Sequence, residues 1–364
     1  SDETGLPTLS TPERRRREEM KKLVCGLSMV LVLVLMAGTA LAADSITVFN
    51  CYDYIDENLL YEFTDETGID VQYVNYTTNE EMYVKLMAGA TSYDVIFPSD
   101  YMIERMVKQD LLAELNFENI PNADGIMDWL KDPSYDEGSA HSVPYMWGTL
   151  GIIYNPAMVE EPIDSWEQMF SDTYKNNVIM MDSIRDTLGV TLKMLGYSMN
   201  TRDEAQLEEA KQKLIDQKQR GIVKAYYLDE TKDKMIAGEA AMAMIYSGDA
   251  MYAMSENPDL VYVVPKEGSN VWIDCMVVPK TSQKQEQAEQ FINYLCRPDV
   301  AARNVEWIGY CTPIQQVVDE MSEEDKANTT LNPPQDVIDN CEFFSDILDV
   351  SEMYDEMWTE IRGA

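Results

Sequence analysis

From Ile46 onward the chain alternates strand-like and helix-like stretches, and this alternation limits its fold more than any other feature. The apolar run Ile46 to Phe49 reads as a strand, Glu57 to Thr67 as a helix closed by Gly68, and Asp70 to Val74 as a second strand. A helix over Asn79 to Ala88 and a third strand over Tyr93 to Phe97 complete a βαβαβ rhythm. Such a rhythm implies an α/β fold around a mostly parallel, doubly wound sheet. Further on, Gly148 to Tyr154 and Val178 to Met181 read as strands flanking "DSWEQMF", with Asp164-Ser165 placed to cap a helix. Glu204 to Arg220 repeats Lys and Glu at three- and four-residue spacings, the mark of a solvated helix. Lys234 to Ala237, Gly238 and Ala240 to Tyr246 read as helix, turn and buried strand. Trp272 to Val278 reads as another strand, and Gln285 to Leu295 as a helix stopped before Pro298.

At 364 residues the chain exceeds the roughly 250 that one hydrophobic core usually serves, so two lobes are expected. No low-complexity linker separates them, which implies that the chain crosses between lobes more than once.

The first 42 residues carry a different signal. Met20-Lys21-Lys22 begins a basic segment, Leu23 to Met36 is an apolar run, and Ala40-Leu41-Ala42 before Ala43-Asp44 fits a signal-peptidase site. The expectation is an extracytoplasmic protein whose mature chain starts at Ala43. The alternative is a retained anchor, since Leu23 to Ala43 is long enough to span a bilayer. Five cysteines remain beyond Cys25, an odd number without CxxC or zinc spacing, so at least one is unpaired.

A net charge of −37 would repel phosphate backbones and argues against nucleic acid as a partner. It permits a cationic ligand, and it equally serves as a solubilising surface. Catalytic motifs are absent: there is no GxGxxG, Walker-type loop, GxSxG or HExxH, and the single histidine, His141, has no visible partner for a dyad or metal cluster. Aromatic and acidic residues instead recur just after the expected strands. They are Tyr52, Asp53 and Tyr54; Ser99, Asp100 and Tyr101; Asp182 and Asp186; Tyr246 and Asp249; Trp272 and Asp274. Ligands of open α/β sheets sit beyond the carboxyl ends of the strands. Carboxylates without basic partners attract ammonium groups, and aromatic faces accept both cations and the methylenes between them. Taken singly, each aromatic serves core packing equally well.

The segments "FNCYDYIDENLLYEFTDETGI", "YDVIFPSDYM", "VPYMWGTLGIIYN", "VPKEGSNVWIDCMVVP" and "RPDVAARNVEWIGYCTP" carry a more specific likeness. Over essentially all of the chain from Ile46, the sequence resembles the spermidine/putrescine-binding (PotD-type) receptors of bacterial ABC importers, in the periplasmic binding protein superfamily. The resemblance implies a two-lobe α/β fold with crossover hinge segments and an interlobe cleft, residues 43–149 and 269–317 forming one lobe and 150–268 and 318–364 the other. It implies a monomer without cofactor that holds a polyamine and delivers it to membrane permease subunits. Carried over by position, the site falls on Tyr54, Ser99, Tyr101, Asp186, Tyr246, Trp272 and Asp274. Tyr246 stands where tryptophan is usual.

Four departures adjoin that set: Cys51 in place of tryptophan, Ser183 in place of a second acid, Leu228 in place of a small hydroxyl residue, and Phe344 in place of glutamine. Tyr52, Asp53 and Asp182 complete the expected ligand-facing residues. With Asp186 and Asp274 as the two strong anchors, a diamine such as putrescine, or an amine with an apolar end, is favoured over spermidine; Asp53, Asp182 or Asp249 would serve a third ammonium. Two other classes stay open on the sequence. One is a hydrolase or lyase using Asp182 with Asp186. The other is a receptor for thiamine, an organic anion or ferric ion, the last served by Tyr52, Tyr54 and Tyr101.

Overall fold

A computed structural model describes residues 44–364. The expected leader, its expected cleavage site and Cys25 lie outside the described residues. Among those described, no helix is long and apolar enough to cross a membrane.

Among the described residues nine strands form the sheet: β1 (Ser45–Cys51), β2 (Asp70–Tyr76), β3 (Val95–Ile96), β4 (Ser142–Tyr154), β5 (Val178–Met181), β6 (Val223–Tyr227), β7 (Met242–Tyr246), β8 (Val261–Val263) and β9 (Val271–Val277). Their order is β2-β1-β3-β9-β4-β7-β5-β6, with β8 added on β4. The sheet is mixed rather than mostly parallel. β1 pairs in parallel with β2 and β3, and β5 with β6 and β7. β9 and β4 enter antiparallel to their neighbours. These two are crossover strands, and the direction in which the chain passes between the lobes sets their polarity.

β4 serves both halves: Ser142 to Thr149 pairs with β9, and Leu150 to Tyr154 with β7. The hydrophobic core divides at the same point. Ile46 to Trp147 and Val271 to Ile338 supply one buried cluster. Leu150 to Tyr262 and Phe344 to Ile361 supply two others. The chain therefore passes between cores three times, along β4, entering β9, and near Glu342. Met321, Ile338 and Cys341, expected in the second lobe, pack on the first core. The short helices between Gln315 and Ile338 run back over that core before the chain returns.

Local chemistry explains the helices that frame the cleft. In α1 (Asn58–Thr67), Leu59, Leu60 and Phe63 face inward, each worth about 2 kcal/mol when buried, and Gly68 ends the helix at φ 76°. α2 (Asn79–Ala88) is capped by Thr78, whose hydroxyl accepts from Glu81 N. α3 (Asp100–Lys108) follows Ser99, and α4 (Ile184–Met194) follows Ser183, whose hydroxyl accepts from Asp186 N. α5 (Glu204–Gln219) is amphipathic, burying Leu207, Ala210 and Leu214. The "DSWEQMF" stretch forms a 3₁₀ turn with a Ser165–Gln168 capping box. α6 (Glu230–Ile236), α7 (Ser247–Glu256), α8 (Gln285–Leu295) and α9 (Pro298–Ile308) complete the faces. All five cysteines among the described residues are free.

Candidate functional site

β9 alternates strictly at its start: Val271, Ile273 and Cys275 are buried in the core, while Trp272 and Asp274 face the other way and stay partly open. Each oxygen of Asp274 accepts one hydroxyl. Ser99 Oγ donates to Oδ1 at 2.5 Å and Tyr54 OH to Oδ2 at 2.7 Å. Neither donor is loose. Asn79 holds Ser99 by two bonds, Nδ2 to Oγ at 2.9 Å and Oδ1 from Ser99 N at 3.1 Å. The Tyr54 carbonyl accepts from Tyr145 OH at 2.6 Å and Asn50 Nδ2 at 3.1 Å. Asp274 is surrounded by protein although part of it opens to the cleft, and this desolvation lifts its pKa to about 6 against the pull of the two hydroxyls. Burial and then Asp274 push Tyr54 well up, so it remains a donor. The Cys51 thiol is likewise raised, by burial first and Asp274 second.

A second carboxylate, Asp186, belongs to the other lobe. Asp186 lies in the first turn of α4, where an acid is favoured by the helix dipole. Its Oδ2 accepts from Ser183 Oγ at 2.5 Å and from Tyr246 OH, at the end of β7, at 3.0 Å. Its Oδ1 is buried and has no partner among the described residues. Burial raises the Asp186 pKa above the ordinary value.

Aromatic rings wall the space near these acids. Trp272 meets Tyr310 edge-on at 4.8 Å and Tyr246 at 6.2 Å, and Tyr310 meets Tyr54 at 6.3 Å. Two glycines make the approach feasible. A Cβ at Gly148 would lie 2.6 Å from Trp272 Cζ2, and one at Gly248 would overlap the Tyr310 ring. Tyr101 packs against both cores and donates its hydroxyl to Glu80 at 3.0 Å. Tyr310 was not among the expected site residues. It follows Gly309, the left-handed end of α9, and no strand pattern marks it; "WIGYCTP" was its only signal.

Other expected residues fall elsewhere. Tyr52 is 64% exposed and Asp53, also exposed, takes φ 51°. That turn breaks strand alternation, sending Tyr52 outward and Tyr54 inward. Asp182 is on the surface, paired with Arg362 at 2.6 Å, so it forms no acid/base pair with Asp186. Asp249 faces Lys232 at 3.4 Å. Leu228 is 49% exposed. Phe344 is buried against Gly189, with the Arg185 guanidinium 4.3 Å over its ring. His141 bonds Asp136 through Nδ1 at 2.9 Å. Among the described residues, no group of three or more His, Cys, Asp or Glu is placed to hold a metal.

Residues 58–332 match a family described as bacterial extracellular solute-binding protein. The chain is 32% identical over 335 residues to the spermidine/putrescine-binding periplasmic protein of Salmonella typhimurium, covering 92% of this chain and 96% of that protein. It is 30% identical over 353 residues to the putrescine-binding periplasmic protein SpuD of Pseudomonas aeruginosa, covering 90% of this chain and 95% of that one. The crystal structure of the spermidine/putrescine ABC transporter substrate-binding protein PotD from Streptococcus pneumoniae superposes with a TM-score of 0.82 at 38% identity, over 88% of this chain and 99% of that one.

Proposed function

The chain belongs to the bacterial extracellular solute-binding proteins, and from that premise we propose that it captures a polyamine, putrescine or spermidine, between its lobes and passes it to an ABC importer. It does so as a secreted, single-chain receptor without catalytic chemistry or cofactor, its partners being the ligand and the permease subunits in the membrane.

One observation carries the reading: among the described residues, the side chains of two carboxylates from opposite lobes, the partly open Asp274 and the buried Asp186, accept hydrogen bonds from hydroxyls only. A hydroxyl leaves a carboxylate's charge in place, and Asp186 Oδ1 has no donor among the described residues. An ammonium at each acid supplies charge-assisted bonds worth about 1.5 to 3 kcal/mol apiece. The methylenes between them lie against Trp272, Tyr310, Tyr246 and Tyr54. The ferric reading loses its tyrosine set, since Tyr52 faces solvent and the Tyr54 and Tyr101 hydroxyls are engaged.

A thermal-shift screen over putrescine, cadaverine, spermidine, spermine and thiamine tests this. The two proposed polyamines should raise the melting temperature by mass action; a shift with thiamine alone would contradict it.

A further inference from the structure

The hydrogen of the Ser99 hydroxyl has a direction that its neighbours dictate. The Ser99 backbone N–H only donates, and it meets the Asn79 side chain at 3.1 Å, so the atom it meets is the amide oxygen Oδ1. That contact turns the Asn79 amide NH₂ to Ser99 Oγ, at 2.9 Å. Nδ2 carries only donors, so Oγ gives Asn79 a lone pair and keeps its single hydrogen for another acceptor. The acceptor is Asp274 Oδ1, at 2.5 Å. The backbone fixes the same arrangement: Ser99 and Asp274 form an antiparallel bridge, and Cys275 N donates to the Pro98 carbonyl at 3.0 Å.

We infer that Asn79 is a positioning residue for Asp274: it aims the Ser99 hydroxyl hydrogen at the carboxylate and so holds Asp274 in the ionised form that an ammonium needs. The inference rests on the polyamine reading for its purpose, while the hydrogen-bond chemistry stands apart from it. Burial works against the charge on Asp274, and of the two hydroxyls that oppose burial Ser99 acts more strongly than Tyr54.

The other groups around Asp274 do not supply this support. Cys51 on β1, Tyr76 on β2, Tyr145 on β4, Tyr310 after α9 and Cys275 on β9 are raised by burial and stay neutral near pH 6. Burial pushes the Asp100 carboxyl at the start of α3 well up. On α2, Glu80 accepts from Tyr101 and Glu81 pairs with Lys85. Among the described residues the Asp274 oxygens accept from Ser99 and Tyr54 only.

Asn79→Asp tests the inference with the fold kept, since Ser99 N still finds an acceptor and an acid is favoured in the first turn of α2. An aspartate cannot donate to Oγ and draws the Ser99 hydrogen away from Asp274. Carboxyl ¹³C NMR of the ligand-free protein follows Asp274 directly, its signal assigned by loss in Asp274→Asn. Calorimetric titration of putrescine across pH follows the use of the charge. Asn79→Asp and Ser99→Ala should each raise the Asp274 pKa by about one unit, with putrescine released at a correspondingly higher pH. In the Ser99→Ala background, Asn79→Asp should add less than half of its own shift, because the hydroxyl through which it acts is gone. An unmoved Asp274 titration in Asn79→Asp would overturn the inference. So would a shift that adds in full to that of Ser99→Ala, the mark of added charge alone. A raised Asp274 pKa with putrescine binding unmoved would uphold the positioning role and overturn the amine reading of Asp274.

Discussion

The Tyr54 hydroxyl stands 2.7 Å from Asp274 Oδ2 although 220 residues separate the two in the chain. The first strand end and the last strand of the sheet thus build one carboxylate site, and under the proposed function its charge is what an amine ligand would need. Asp274→Asn keeps the volume and removes that charge. It should weaken putrescine by at least tenfold, about 1.4 kcal/mol, with a melting temperature close to that of the wild type. A smaller loss in calorimetric titration would mean that Asp274 is not an anchor.

Acid should release the ligand. The Asp274 carboxyl is lifted from 3.8 to about 6, so the folded protein keeps a proton that the unfolded chain has already given up. Between those values the unfolded state binds fewer protons, and stability from this group falls as pH rises. Binding runs the other way, because an ammonium requires the ionised acid. Below pH 6 the dissociation constant for putrescine should climb about tenfold per pH unit, and Asp186, also raised by burial, adds to the effect. Titrations at pH 7.5, 6 and 5 test this; equal affinity at all three would refute it.

Gly248 lets Tyr310 lie against the start of α7. Gly248→Ala should push the ring off its edge-on contact with Trp272 and weaken amine binding by about tenfold, roughly 1.4 kcal/mol. Quenching of tryptophan fluorescence on titration gives the readout, and unchanged affinity would show that Tyr310 does not wall the ligand.

The returning segment near Asp346 is clamped to α3. Arg105 donates from Nε and Nη2 to Asp346 Oδ1 at 3.0 and 2.9 Å, with the two side chains 13% and 10% exposed. Asp346 N also donates to Glu104 Oε2 at 2.7 Å. Arg105→Ala would strand a buried carboxylate and should cost about 3 kcal/mol of stability. The midpoint of urea unfolding measures it, and no shift would mean that the pair is not structural.

Much of this was legible in the sequence because it is local. Periodicity and glycine stops place α1, α2, β5 and α8, and the two-residue alternation of β9 puts Trp272 and Asp274 on one face. Parallelism was not legible, because it depends on which lobe a strand enters rather than on its own residues. Asp182 and Asp249 read like Asp186 in the sequence. What removes them is Arg362, far along the chain, and Lys232 on the neighbouring helix. Tyr52 and Tyr54 look equivalent until the positive φ of Asp53 separates them. Tyr310 enters from a helix end that no strand pattern marks.

The most direct measurement is calorimetric titration of putrescine into the wild-type protein, Asp274→Asn and Asp186→Asn at pH 7.5. The account predicts one site per chain in the wild type and a loss of at least tenfold in each variant. Absence of binding in the wild type, or binding that survives both substitutions, would contradict it.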